Sequence, residues 1–118
     1  MDSRTLGLSH LLLQTSDIER AERFYVDVLG FTVRKREPFD ETRRLIVTHQ
    51  GLGLTEGGPG DGRQVEHIAF RVDNVAALAA RIRDAGAPIL RELGPGAYGT
   101  TIYVADPDGN KIELFEES

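Results

Sequence analysis

Apolar and polar positions along this chain follow two alternating periods, and the same order of periods occurs twice. "GLSHLLLQT" alternates like a strand over about 7–15. "DIERAERFYVDVL" then puts Ile18, Ala21, Phe24, Tyr25 and Val28 on one stripe at helical spacing. Three further alternating runs follow, about 31–37, 42–49 and 51–56. Beyond the Gly/Pro-rich stretch "GGPGDG" the order restarts. A strand is expected over about 65–72 and a helix over 74–85, carried by Val75, Leu78, Ala79 and Ile82. Strands over about 88–92, 99–105 and 111–116 complete the second half. The pattern predicts an α+β chain of two βαβββ modules. Halves this small do not bury a comfortable core alone, so a single domain over 1–118 is expected, with internal repeats at about 7–56 and 65–116.

Local chemistry fits these boundaries. Ser16 and Glu19 have the spacing of a capping box before the first helix, and Asp73 stands where the second helix needs an N-cap. Both helices run into glycine, Gly30 and Gly86, which tolerates the left-handed conformation that ends a helix. Asp106-Pro107-Asp108-Gly109 has the composition of a type I turn and should join the last two strands as a hairpin.

Composition narrows the function. The 118 residues are 40% hydrophobic and 28% charged, ordinary for a globular protein. No run of about 18 apolar residues could cross a membrane as a helix. Met1-Asp2-Ser3-Arg4 does not start a secretory signal. The absence of cysteine rules out disulfides, thiolate metal sites and a cysteine nucleophile, and fits a cytoplasmic protein. A formal net charge of −5, with arginines interspersed among acids, argues against nucleic acid as the main partner.

The chemistry then concentrates in three side chains. Strand alternation puts Leu8, His10, Leu12 and Gln14 on one face and Leu11 and Leu13 on the other. In the second module His67, Ala69 and Arg71 oppose Ile68, Phe70 and Val72. The apolar faces must cover the helices, so both histidines look toward the concave side. In "KIELF", Ile112 and Leu114 face a helix and leave Glu113 on that concave side. Thr101 and Tyr103 line the same cavity by the same rule. A carboxylate inside a strand is costly to desolvate unless paired, hydrogen-bonded or metal-bound. Taken singly, each of these residues reads as structural or solvated. Together, His10, His67 and Glu113 form a donor set with open positions that suits divalent iron, manganese, nickel or zinc. His49, at a strand end, is expected to be peripheral.

"LSHLLLQTSDIERAERFYVDVLGF", "EHIAFRVDNV" and "YVADPDGNKIELFE" resemble the vicinal oxygen chelate superfamily of glyoxalases, extradiol dioxygenases, fosfomycin-resistance enzymes and bleomycin-binding proteins. The resemblance implies an open, eight-stranded, barrel-like cup around a divalent metal, Fe²⁺ or Mn²⁺ before Zn²⁺ or Ni²⁺, held by His10, His67 and Glu113. It implies a homodimer, in some members with modules paired across chains. It also implies a small-molecule substrate chelated through neighbouring oxygens. Glyoxalase I enzymes add a fourth protein ligand. Aligning "LGLTE" with "IELFE" puts Gly53 at that place, and Glu56 falls on the opposite face. A dioxygenase-type enzyme is therefore expected, with Tyr103 as acid or oxyanion donor and Arg71 and Thr101 orienting the substrate. The alternatives are a glyoxalase-like lyase, a fosfomycin-type thiol transferase, and a metal-free drug or metabolite binder.

Overall fold

The computed structural model describes residues 3, 6, 8–58 and 66–118. The expected strand starts at Gly7 and Val65, and most of "GGPGDG", lie outside the described residues. The elements are β1 (Leu11–Thr15), α1 (Ile18–Glu22), β2 (Val33–Pro38), β3 (Arg44–Thr48) and β4 (Leu52–Glu56), then β5 (Ile68–Arg71), α2 (Val75–Ala85), β6 (Ile89–Pro95), β7 (Gly99–Ala105) and β8 (Lys111–Glu117). This is βαβββ twice, as the two periods require.

Each module forms one four-stranded mixed sheet, ordered β1-β4-β3-β2 and β5-β8-β7-β6. The crossing helix makes β1 parallel to β4 and β5 parallel to β8; the hairpins make the other pairs antiparallel. The strands do not close into a barrel. The radius of gyration is 15.0 Å, above the roughly 13.5 Å of a compact chain this long. No helix among the described residues is long and apolar enough to cross a membrane.

The core lies between sheets and helices. Ile18, Ala21, Phe24 and Tyr25 pack with Val75, Leu78, Ala79 and Ile82 onto Leu52, Leu54, Ile102, Val104, Ile112 and Leu114. The expected division of faces holds in β1, β5 and β8. Leu13, Ile112 and Leu114 are buried, while His10, Leu12, Gln14 and Ala69 are exposed.

Three local expectations are corrected. The first helix is not uniform, because α1 passes at Arg23–Val28 into a wider turn in which the Leu29 amide donates to the Phe24 carbonyl at 3.0 Å. That widening turns the adjacent Phe24 and Tyr25 both inward. The N-cap of α1 is Asp17, which accepts the Arg20 amide at 3.1 Å. Ser16 is instead turned to Asp108 and Glu19 to Arg44, so no capping box forms. Helix α2 is capped by Asn74, not Asp73, and by Glu116, which accepts the Val75 amide at 2.9 Å. Gly86 ends it in the left-handed region with φ 73°.

The two modules are tied by polar contacts. Asp108 accepts the Ser16 amide at 2.8 Å and the hydroxyls of Thr15 and Ser16, and Asp106 accepts the Tyr25 hydroxyl at 2.7 Å. The DPDG hairpin of the second module therefore sits at the start of α1 in the first. Its turn closes as expected, with the Gly109 amide donating to the Asp106 carbonyl at 3.0 Å.

Candidate metal and substrate site

The second module gathers most of the predicted chemistry. Strand β8 pairs in register with β5 and β7, setting Ala69 on one side of Glu113 and Tyr103 on the other. Glu113 is 8% exposed. One of its oxygens accepts the Thr101 hydroxyl at 2.8 Å, and the other stands 3.4 Å from His67 Nε2. A nearly buried carboxylate thus shares its free oxygen with an imidazole nitrogen, the chemistry of two metal ligands on one side of a site.

His67 is oriented from behind. Its Nδ1 lies 3.2 Å from Glu66, whose same oxygen accepts Lys111 Nζ at 3.1 Å. A carboxylate on Nδ1 favours the tautomer that leaves Nε2 free toward Glu113. The Tyr103 ring meets His67 edge-on at 5.7 Å, with Lys111 and Arg91 over its faces. Burial first, and then the Glu113 carboxylate, push the Tyr103 hydroxyl above its ordinary pKa, against the opposing pull of Arg91 and Lys111. The phenol keeps its proton at neutral pH and can donate it.

The first module supplies the equivalent positions with different side chains. His10 precedes β1 as His67 precedes β5, and it lies in a groove of about 490 Å³ with Leu12, Leu45, Val47, His49 and Gly53. Its Nδ1 is 2.9 Å from the Ser9 hydroxyl. Of the three expected ligands the structure brings two together, His67 and Glu113. His10 stands in the other module, and among the described residues no three acid or histidine side chains are grouped closely enough to hold a metal ion. The donor chemistry of His67 and Glu113 fits a divalent ion; within one chain the set is one ligand short.

Two expectations change here. His49 is not peripheral: it lines the groove of His10, with Nδ1 2.9 Å from the Thr32 hydroxyl. His49 lies in the exposed turn just after β3, two residues beyond Val47. Arg71 is engaged elsewhere, paired with Glu117 at 3.1 Å in a separate groove beside Asn74 and Arg81. Glu56 is turned from the concave face as expected and holds Arg44 at 2.8 Å, in a pair that pulls its carboxyl down to about 2.

Known proteins are similar to this chain in sequence and fold. The sequence model described as the Glyoxalase/Bleomycin resistance protein/Dioxygenase superfamily matches residues 7–114. The chain belongs to that superfamily. Its relatives within the superfamily include a lactoylglutathione lyase of Shigella flexneri, 35% identical over 95% of this chain and 93% of that protein. The glyoxalase I of Leishmania major superposes with a TM-score of 0.77 at 28% identity, over 98% of this chain and 88% of that one. The fosfomycin resistance protein FosX of Mesorhizobium loti superposes with a TM-score of 0.75 at 27% identity, over 95% and 92%. These superpositions cover nearly the whole chain and so take in both of the open sheets described above.

Proposed function

We propose that this chain is a metal-dependent enzyme that takes a small metabolite by two neighbouring oxygens, in a site assembled from two copies of the chain. The observation that carries the reading is the approach of His67 Nε2 to Glu113 at 3.4 Å, with His10 at the matched place in the other module. A homodimer that sets the concave face of one copy's first module against the second module of its partner would add the missing imidazole. His10, His67 and Glu113 would then hold divalent iron or manganese, with zinc or nickel as the other candidates. Such an ion supplies Lewis acidity that stabilises negative charge developing on substrate oxygens.

The chain's own residues do the remaining work. Thr101 holds the Glu113 carboxylate in one orientation through its hydroxyl. Tyr103, a phenol that carries its proton at neutral pH, donates to a substrate oxygen as charge builds there. His49, which lines the same groove as His10, would be the group that moves a proton at the atom next to the chelated pair.

Two reaction classes use these parts. The lyase class is supported by relatives named lactoylglutathione lyase at 31–35% identity. A dioxygenase-type reaction is favoured by Gly53, because a residue without a side chain leaves three protein ligands and a further open position for a second small ligand. The test is metal content after anaerobic reconstitution with iron, manganese, nickel and zinc, on protein lacking any histidine tag. Near-stoichiometric uptake that disappears in Glu113→Ala is expected, with iron preference pointing to oxygen chemistry. No uptake of any of the four sinks the proposal and leaves a metal-free binding protein.

A further inference from the structure

The two modules present opposite chemistry at equivalent places. In the second, the central row of the concave face reads Ala69, Glu113, Tyr103 across β5, β8 and β7. In the first, the same row reads Leu12, Gly53, Val47 across β1, β4 and β3. A Cβ at Gly53 would lie 3.1 Å from Leu12 Cδ1. The leucine therefore leans across the place that its counterpart row gives to a carboxylate. Leu45 and Phe39 extend this apolar floor in the same groove, and His10 and His49 stand at its end. Leu12 is 37% exposed and Phe39 41%, although both are large and apolar.

From this asymmetry we infer that the substrate is amphiphilic, an oxygen-chelating head carried on an aromatic or branched aliphatic body that lies on Leu12, Val47, Leu45 and Phe39. The inference rests on the metal-chelation reading above, because His10 joins the apolar floor to the ligand set. One groove holds His10, His49 and Phe39, with Arg34 and the Lys35–Glu37 ion pair on its edge strand β2, so a molecule chelated beside His10 has its remaining atoms over Leu12, Val47, Leu45 and Phe39 with charged groups along one side. Burial of a hydrocarbon body there removes apolar area from water on both sides. A wholly hydrophilic substrate would leave the floor exposed and gain nothing from it.

The test uses the zinc-loaded full-length protein under anaerobic conditions, with catechol and 4-tert-butylcatechol as probes and titration calorimetry as the readout. The tert-butyl compound is expected to bind at least about tenfold more tightly, from the transfer of its extra carbons. Leu12→Gln and Phe39→Gln, both at exposed positions that should leave folding intact, are expected to remove most of the difference between the two catechols while zinc uptake stays unchanged. Equal affinity for the two catechols, on protein that takes up zinc and binds catechol, overturns the inference alone. Failure of zinc uptake or of catechol binding overturns the chelation reading and this inference with it. If the two variants instead change the sedimentation of the protein and not its ligand preference, the apolar face belongs to the contact between copies, and the assignment falls.

Discussion

Asp108 and Ser16 are far apart in the sequence, yet the Asp108 carboxylate accepts the Ser16 amide at 2.8 Å and both the Ser16 and Thr15 hydroxyls. The turn that closes the second module's last hairpin is thereby fastened to the entry of α1 in the first. Only 3% of Asp108 is exposed, so its removal leaves the Ser16 amide without its acceptor and the buried Thr15 hydroxyl with only the Asp17 carbonyl at 3.2 Å. Asp108→Ala is expected to cost about 2 kcal/mol of stability, within the range for orphaned buried polar groups. Denaturant titration should show a lower midpoint with unchanged slope.

The same carboxylate sets part of the acid sensitivity. Burial pushes Asp108 up, but the hydrogen bonds from Ser16 and Thr15 together outweigh it and hold the group below its ordinary value of 3.8. A depressed carboxyl contributes stability that is fully present above its unfolded pKa and is lost as pH falls through the folded one. Stability should therefore hold steady down to about pH 4 and fall below it. Asp40 and Glu56, each drawn down to about 2 by hydrogen bonds from Arg43 and Arg44, act in the same direction at the surface. Asp108→Asn should flatten this acid limb, read as the pH dependence of the urea midpoint.

A site shared between copies has a signature that a single-chain site lacks. His10→Ala and Glu113→Ala proteins, each unable to take up metal, should recover about a quarter of the wild-type sites when mixed, unfolded and refolded together. Half of the random dimers are hybrids, and each hybrid carries one intact site and one doubly damaged site. Metal analysis of the refolded mixture gives the answer. No recovery means that each chain must supply all three ligands itself.

His49 separates binding from chemistry. Replacement by phenylalanine keeps the ring shape and removes the proton carrier, so turnover should fall about a hundredfold. Metal uptake should be unchanged, because the side chain hydrogen-bonds Thr32 and is not grouped with His67 and Glu113. A variant that loses metal as well would mark His49 as a ligand.

Periodicity by itself determined much of this protein. The order βαβββ twice, the helix-facing and concave residues of β1, β5, β7 and β8, and the joint exposure of His10 and His67 follow from alternation. The burial that drives each module is local to a helix and its strands. The pairing of Glu113 with His67, the turn at Asp106–Gly109 and the vacancy at Gly53 were legible for the same reason. Other features depend on partners remote in sequence. Ser16 has the spacing of a cap but is taken by Asp108, and Arg71 shares a face with His67 but is taken by Glu117. His49 looked peripheral, yet the turn after β3 sets it in one groove with His10. Above all, the repeat makes the two modules equivalent without saying whether they meet within one chain. That is decided by how the sheets are placed in space, and here they stand as two open sheets in which, among the described residues, no third acid or histidine is grouped with His67 and Glu113.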